Sequence, residues 1–330
     1  MIYTLTINPA IDKLVFLERF VKNQTNRPTK TIETIGGKGT HVSVNLNLLK
    51  LDNRAILVIS GTTGEKLVKM LNDTGVHTEV VRDSGFETRT NIIIVEMTND
   101  CTIIAERGSL ITDEVLNRIL VMLRKTLRSG DYLVLSGDAS NSTRNLYSEI
   151  IHEFSPCGIR IFLDTSGESL KQSLQAGPFL VKPNLDELSQ ICGRQLSDKN
   201  IQEVIDALTI FDPFGIEVVA VSLGGSGSVI KQGGNVYRAY APEIEVKNTI
   251  GCGDSYLAGL VYGFHQNMQL KDVLVLATAI SSATAAHESS VGFDIDLVEP
   301  LKARVHVEYM SASDETNTQS FDNTLSVEAN

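Results

Sequence analysis

The chain has 330 residues, of which 42% are hydrophobic and 21% are charged, and its formal net charge is −11. These proportions are typical of a globular protein with a substantial core. A nucleic-acid surface needs an excess of basic residues, so the negative charge excludes a broad surface of that kind and predicts no nucleic-acid partner. It does not exclude a small basic pocket for one phosphorylated metabolite.

The cysteines and the apolar runs indicate the compartment. The four cysteines are scattered and form no CxxC pair, so we expect neither a disulfide framework nor a zinc cluster. This cysteine usage indicates a reducing compartment. No run approaches about 18 uninterrupted apolar residues. The opening "MIYTLTINPAIDKLVF" lacks the pattern of a signal peptide. The sequence therefore predicts a cytoplasmic protein without a membrane partner.

Short apolar runs alternate with longer helical patterns along most of the chain. In order they include "AILVIS", the helical "GEKLVKMLNDTG", the helix "TDEVLNRILVMLRKTLRSG" with Thr112 as its N-cap, and the strands "YLVLSG", "IRIFLD", "FLVKPN" and "EVVAVSLGG" with helices between them. Two consecutive helices follow within 254–287. This alternation predicts an α/β fold with a mostly parallel sheet flanked by helices.

Two segments and the end of the chain depart from this alternation. Residues 12–35 and 86–107 contain stretches such as "KLVFLERF" and "NIIIVEM" that predict half-exposed antiparallel strands, forming a small inserted sheet that serves as a lid or a dimer surface. Residues 311–330 are polar and contain no Lys or Arg, which predicts a disordered tail. The expected organisation is one domain over 1–310, followed by that tail.

The stretch "NTIGCGDSYLAGL" places Gly251, Cys252, Gly253 and Asp254 directly before an apolar helical pattern. Glycines at the start of a helix leave backbone N–H groups free to meet an anion. An acid beside such an anion site suits phosphoryl transfer, in which it takes the proton of the attacking hydroxyl. The alternative is that Asp254 only caps the helix, and the spacing alone does not separate the two.

A second glycine cluster, "IGGKGTHVSVNLNLL", also precedes a helical pattern. It is not a Walker A loop, because Gly39 rather than Ser or Thr follows Lys38. One interpretation is that its backbone and Lys38 bind a sugar or a phosphate. The other is a tight turn between a strand and a helix.

Two further stretches lie at predicted strand ends. In "VKPNLDEL", Asn184 and Glu187 have the spacing of a capping box, which does not explain Lys182 at the end of an apolar strand. Ligands of parallel sheets bind at the carboxyl ends of strands, so Lys182 is placed to meet a phosphate. In "VSLGGSGSVI", the backbone from Ser222 to Gly227 either cradles a nucleotide or forms a hairpin turn.

Together and in this order, the four motifs resemble the PfkB carbohydrate kinase family, which has the ribokinase-like fold. The resemblance runs from Met1 to about residue 295, and "TLTINPAID", "LDTSGESL" and "VKPNLDEL" are similar to the branch containing 1-phosphofructokinase and tagatose-6-phosphate kinase. It implies a kinase that uses ATP with Mg²⁺ on a ketohexose phosphate. It also implies a small β lid that pairs two subunits in a homodimer.

The resemblance also implies roles for residues at matching positions. The base is Asp254, and the anion hole consists of the amides of Gly251, Cys252 and Gly253. The sugar phosphate is bound by Asp12, Gly36, Gly37, Lys38, His41 and Arg89. The nucleotide is bound by Lys182, Asn184, Ser222, Gly224, Gly225 and Gly227, and the magnesium-associated motif consists of Asn184 and Glu187. A solvated charge is the alternative for Arg89, but a guanidinium suits a substrate phosphate.

The chain departs from the family's pattern at three positions. His41 stands where the family usually has Asn, either as a packed helix residue or as a change in hydroxyl recognition. Asp138 adds an acid near the expected substrate edge, where it could repel a phosphate. Cys252 replaces the commoner Ala, and no paired histidine follows from the motif to make it a nucleophile.

The substrate that the resemblance favours is fructose 1-phosphate, phosphorylated at its 6-hydroxyl. Tagatose 6-phosphate, phosphorylated at its 1-hydroxyl, is the close alternative. A kinase for an unphosphorylated sugar would leave Arg89 and Lys38 without a phosphate to bind. A sugar-phosphate sensor without catalysis would gain nothing from Asp254.

Overall fold

Strands alternate with helices along most of the described chain, and the computed structural model describes residues 1–98 and 100–310. Within them it forms fourteen strands: β1 Ile2–Thr6, β2 Ala10–Leu17, β3 Lys30–Gly36, β4 Asn53–Ser60, β5 His77–Asp83, β6 Arg89–Glu96, β7 Cys101–Ile104, β8 Tyr132–Ser136, β9 Arg160–Asp164, β10 Leu180–Val181, β11 Val218–Ser222, β12 Ser228–Gln232, β13 Asn235–Tyr240 and β14 His306–Met310. The prediction of a disordered tail at 311–330 lies outside the described residues.

The same residues form ten α-helices: α1 Lys38–Leu48, α2 Gly61–Asp73, α3 Asp113–Thr126, α4 Leu146–Phe154, α5 Gly167–Leu174, α6 Leu185–Cys192, α7 Ile201–Ala207, α8 Cys252–His265, α9 Leu270–Ala285 and α10 Val298–Lys302. The two helices predicted within 254–287 are α8 and α9. Thr112 caps α3 as predicted, because its side-chain oxygen accepts the amide of Val115. None of the helices within 1–98 and 100–310 is long and apolar enough to cross a membrane.

The main sheet has ten strands in the order β14-β13-β12-β11-β10-β9-β8-β1-β4-β5. All neighbours from β5 to β11 run parallel, whereas β12, β13 and β14 add to the sheet in antiparallel fashion. The prediction of a mostly parallel sheet flanked by helices is therefore confirmed.

Successive side chains of the central strands face opposite helix layers. Leu133 and Leu135 of β8 belong to a buried cluster with residues of α3 to α7, while Val134 between them packs with residues of α1, α8 and α9. This alternation follows from the two-residue period of a strand. Both faces of the sheet are buried, which explains why its strands read as continuous apolar runs.

A separate small sheet has the order β3-β2-β6-β7 and occupies the two segments predicted for it. Its outer pairs, β2 with β3 and β6 with β7, are antiparallel as expected, but the central pair of β2 and β6 is parallel. The prediction of an antiparallel sheet was wrong for that pair. The long connection from β3 to β6 through α1, β4, α2 and β5 allows β6 to approach β2 in either direction, and side-chain alternation carries no signal of direction.

Candidate active site

The candidate site lies at the carboxyl ends of the parallel strands, where α1 and α8 begin. Lys38 opens α1, Asp164 ends β9 and Lys182 follows β10. Ion pairs from both lysines to Asp164 join these three ends. This edge of an open α/β sheet is where ligands of such folds bind.

The turn before α8 has a backbone that requires glycine. Gly251 adopts a φ of 78°, and a Cβ there would lie 2.2 Å from the carbonyl oxygen of Ser290. Asn248 anchors the turn: its side-chain amide donates to the carbonyl of Ser289 at 2.8 Å, and its side-chain oxygen accepts the amide of Ile250 at 2.6 Å. The first N–H groups of α8 have no partner inside the helix, so this rigid turn presents donors suited to an anion.

Asp254 lies in the first turn of α8 and is only 6% exposed. Its Oδ2 is 2.8 Å from Nδ1 of His41, whereas its Oδ1 makes no hydrogen bond to any residue in 1–98 or 100–310. One oxygen is therefore fixed and the other is available, which suits a general base. The amides predicted to hold a transferring phosphoryl group immediately precede it, at Gly251, Cys252 and Gly253.

His41 uses both ring nitrogens within the protein. Besides the bond to Asp254, its Nε2 lies 2.9 Å from the carbonyl oxygen of Ile35 and 3.9 Å from Oδ2 of Asp12. Burial alone would lower the pKa of His41, but the hydrogen bond and charge of Asp254, together with Asp12, raise it above its ordinary value. Neither nitrogen is left for a sugar hydroxyl, so the structure places His41 against Asp254 and leaves the predicted sugar contact without a free ring nitrogen.

Asp12 reaches the same space from the small sheet. Its Oδ1 accepts a hydrogen bond of 2.8 Å from the side-chain amide of Asn91. A Cβ at Gly36 would come within 2.3 Å of that oxygen, so the close approach of the carboxylate requires glycine there. Burial raises the pKa of Asp12, while the charge of His41 and the bond from Asn91 oppose this rise.

Two lysines converge on one buried carboxylate. Nζ of Lys38 and Nζ of Lys182 each lie 3.3 Å from Oδ1 of Asp164, whose side chain is 1% exposed. Burial alone would raise the pKa of Asp164, but the two lysines lower it. Gly253 lies beside the same group, because a Cβ there would be 3.7 Å from Nζ of Lys182. Nζ of Lys182 therefore lies next to the start of α8.

Arg89 is the first residue of β6 in the small sheet, and hydrogen bonds hold its side chain in place. Its guanidinium donates to the carbonyl of Asn8 at 3.1 Å and to that of Glu106 at 3.0 Å. Burial lowers the pKa of Arg89, and the carboxylates of Asp12 and Asp138 act against that change. The position near Asp12 is consistent with the predicted phosphate contact, which stays a prediction.

Asn184 and Glu187 form the capping box predicted from their spacing. The Asn184 side chain accepts the amide of Glu187 at 2.8 Å, and Oε2 of Glu187 accepts the amide of Asn184 at 2.9 Å. Oε1 of Glu187 makes no hydrogen bond to the described part of the chain. A carboxylate oxygen is a ligand that Mg²⁺ prefers, so Oε1 of Glu187 fits the ion as one ligand, oriented by Asn184. Within residues 1–98 and 100–310, no three His, Cys, Asp or Glu side chains cluster as a complete site.

The glycine-rich turn after β11 connects β11 and β12 as a hairpin, which is one of the two interpretations that the sequence left open. Ser222 ends β11 and pairs with Asn184, so the two predicted nucleotide residues are neighbours. A short 3₁₀ turn then covers Gly224–Ser226, and Gly227 leads into β12 with a φ of 97°. A Cβ on Gly224 or Gly225 would meet no atom within 4 Å, which leaves space beside this turn.

The surroundings of Asp138 and Cys252 explain what these two departures from the family's pattern do. Both carboxylate oxygens of Asp138 accept hydrogen bonds of 2.8 Å from Ser140, so this acid holds its own loop. Burial, with a contribution from Asp254, raises the pKa of the Cys252 thiol to about 12. The thiolate is therefore disfavoured, in line with the prediction that Cys252 is not a nucleophile.

The structure groups the predicted residues into two adjoining sets. One set consists of Asp12, Gly36, His41 and Asp254; the other lies around the buried carboxylate of Asp164 and consists of Lys38, Lys182 and Gly253. Gly37 precedes α1, and its carbonyl accepts the amide of His41 at 3.1 Å. Sequence reasoning missed Asp164 and Asn91. An aspartate that ends the apolar run "IRIFLD" was the available signal for Asp164, whereas an asparagine inside a strand gave none.

Comparisons with known proteins show which family the chain is similar to. The model of the pfkB family of carbohydrate kinases matches residues 5–294. The 1-phosphofructokinase of Bacillus subtilis is 32% identical over 289 residues, which is 87% of this chain and 93% of that protein. The tagatose-6-phosphate kinase of Staphylococcus epidermidis is 30% identical over 312 residues, 93% of this chain and 99% of that protein.

A solved structure shows the same fold. The crystal structure of phosphofructokinase-2 from Escherichia coli, in complex with substrates and products, matches with a TM-score of 0.86 and 26% identity, covering 92% of this chain and 98% of that one. The family match spans most of the chain and includes the glycine turns, both lysines and Asp254. On this evidence, the chain belongs to the pfkB family of carbohydrate kinases.

Proposed function

We propose that this chain is a cytoplasmic, ATP-dependent kinase that converts fructose 1-phosphate to fructose 1,6-bisphosphate. The observation that carries the proposal is the available Oδ1 of Asp254 beside the first amides of α8, with Lys182 close to Gly253. A binding protein without catalysis has no use for a base in that place. The relatives named 1-phosphofructokinase support the choice of substrate.

In the proposed reaction, the 6-hydroxyl of the sugar gives its proton to Oδ1 of Asp254 as its oxygen attacks the γ-phosphorus of ATP. A new P–O bond forms, the bond from the γ-phosphorus to the bridging oxygen breaks, and ADP leaves with that electron pair. The amides at Gly251, Cys252 and Gly253 donate to the phosphoryl oxygens while negative charge spreads over them.

The two lysines would supply positive charge to the phosphates. Asp164 holds both ammonium groups at the carboxyl edge of the sheet, and its charge is the main cause of the raised pKa of Lys38. The raised pKa keeps Lys38 charged at neutral pH. A chain with a net charge of −11 needs such a local cluster to receive ATP and a sugar phosphate.

Mg²⁺ belongs to the same proposal. Glu187, oriented by its capping box with Asn184, would hold the ion together with water and the phosphates of ATP. When bound, the ion neutralises charge on those phosphates. The residues of the chain then have two tasks: to place the hydroxyl and to take its proton.

A substrate panel tests the proposal. ADP release and product formation would be measured with ATP, Mg²⁺ and one of fructose 1-phosphate, tagatose 6-phosphate, fructose 6-phosphate or free fructose. We expect the highest kcat/KM with fructose 1-phosphate. A higher value with tagatose 6-phosphate would establish the second candidate, which the Staphylococcus relative supports. Binding without turnover on every sugar would contradict the kinase proposal and favour a sensor.

Arg89→Ala should raise KM for the sugar phosphate with little change in kcat or in KM for ATP. A charge-assisted hydrogen bond contributes about 1.5–3 kcal/mol, so the expected rise is about 10- to 100-fold. Arg82→Ala is the matched control, because Arg82 pairs with Glu65 on an exposed surface. Steady-state kinetics of both variants decide the matter, and an unchanged KM in Arg89→Ala would place this residue outside the sugar-phosphate site.

We also propose that the small sheet pairs two subunits. Ile92 of β6 and Ile104 of β7 are paired on one face of the sheet and are 38% and 53% exposed, and such an apolar patch is costly to leave in water. Sedimentation equilibrium should give twice the mass of the 36.0 kDa chain. A monomeric mass at micromolar concentration would contradict the pairing.

A further inference from the structure

The contacts of His41 determine where its protons are. The carbonyl oxygen of Ile35 is only an acceptor, so Nε2, at 2.9 Å, must carry a hydrogen. Nδ1 lies 2.8 Å from Oδ2 of Asp254, a distance that also needs a proton between the two atoms. A neutral imidazole has one N–H and cannot donate at both ends. The pair of His41 and Asp254 therefore holds one proton more than a neutral histidine beside a carboxylate would.

That extra proton has two possible places, and the surroundings favour one. If it sat on Asp254, the base would already be protonated and His41 neutral; if it sits on Nδ1, His41 is an imidazolium beside a carboxylate. Asp12, 3.9 Å from Nε2, stabilises the cation. The positive end of α8 stabilises the anion at Asp254. The pair is therefore best described as an ion pair.

Charged and polar groups face the ring from several elements. Asp254 faces it from α8, Asp12 from β2 and the Ile35 carbonyl from β3. From β6, Asn91 and Arg89 act on the ring through Asp12, by a hydrogen bond and by charge respectively. Lys38 lies one turn earlier on α1, and Asp254 contributes to its raised pKa. Both carboxylates favour a charged ring.

We infer that His41 is a positioning residue: as an imidazolium it holds Asp254 by Oδ2 and leaves Oδ1 to accept the hydroxyl proton. Phosphoryl transfer therefore fails at alkaline pH, where His41 loses its own proton. The inference rests on the proposed function. The ring stays charged during transfer, since the hydroxyl proton goes to Oδ1 and none leaves His41. When the ring is neutral, one of its two contacts must break, and the base loses its fixed orientation.

Two variants separate the roles of the ring nitrogens. In His41→Asn, the side-chain amide takes the place of Nδ1 and can still donate to Asp254 without titrating. In His41→Gln, the amide reaches the place of Nε2 and keeps the Ile35 contact but loses Asp254. His152→Asn, on the exposed face of α4, is the matched control.

The pH profile of kcat is the first readout. The raised pKa of His41 means that the active imidazolium form persists above the ordinary histidine range and is lost as pH rises further. We expect wild type and His152→Asn to show that alkaline loss and His41→Asn to lack it. His41→Gln should lose about 100-fold in kcat, the cost of a misplaced catalytic group. An alkaline loss retained in His41→Asn, or wild-type kcat in His41→Gln, would overturn the inference.

The second readout does not need turnover. NMR of histidine-labelled protein should show both ring nitrogens of His41 protonated at neutral pH, and Asp254→Asn should move this titration to lower pH. A bare ring nitrogen at neutral pH in wild type would contradict the inference even if the enzyme is active. If no sugar phosphate is turned over, the proposed function fails, and the NMR titration still decides the state of His41.

Discussion

Replacing Asp254 by Asn should lower kcat for the sugar phosphate by about 1,000-fold, within the range for a lost general base. The amide cannot take a proton from the attacking hydroxyl. The amides of α8 and both lysines remain, so ATP should bind with nearly unchanged affinity. Steady-state kinetics with an independent measurement of ATP binding separates the two effects.

The control for this change is Asp272→Asn. Asp272 is an exposed acid in the first turn of α9, the helix packed against α8, so the substitution makes the same chemical change at a neighbouring helix start. Its kcat should equal that of wild type. If Asp254→Asn turned over at a comparable rate, the base would have to be another group.

Replacing Asp164 by Asn should destabilise the folded protein by about 3 kcal/mol at neutral pH, the low end for removing one partner of a buried ion pair. Lys182 is 4% exposed and would be left buried without its carboxylate, whereas Lys38, with a side chain 41% exposed, can turn towards water. Denaturant unfolding measures the loss. Phosphoryl transfer should also fall, because neither ammonium group is then fixed.

The pH dependence gives this prediction a distinct signature. The pKa of Asp164 is lowered in the fold, so its contribution is present above its ordinary value of about 3.8 and is lost as pH falls through the lowered value. The difference from wild type should therefore shrink in acid. Glu153→Gln, which breaks an exposed pair with Arg124, should change stability by less than about 1 kcal/mol. Equal stability of Asp164→Asn and wild type at neutral pH would contradict the role of the cluster.

Much of the fold could be predicted because its signals are local. Apolar runs separated by helical patterns identify a parallel sheet covered on both faces, and Thr112 and Asn184 cap their helices through neighbours three residues away. The direction of β6 beside β2 could not be predicted. It depends on a crossover through several elements, and a strand alternates in the same way whichever direction it runs.

In the candidate site too, the residues with a local sequence signal could be predicted and the long-range pairs could not. The glycine turns and Asp254 stand out because a helix start with small residues is visible in a few letters. The partner of Asp254 is His41, which is 213 positions away, and Asp164 is 126 positions from Lys38. Such pairs arise only when the sheet brings strand ends together. For this reason the sequence alone predicts a packed residue or a sugar contact for His41 and does not single out Asp164.

The most direct measurement is a crystal structure with a non-hydrolysable ATP analogue, Mg²⁺ and fructose 1-phosphate. The account predicts that the 6-hydroxyl lies within hydrogen-bond distance of Oδ1 of Asp254, with the terminal phosphate of the analogue against the amides of Gly251 to Gly253. An acceptor hydroxyl out of reach of Asp254, or a terminal phosphate bound away from the start of α8, would contradict it.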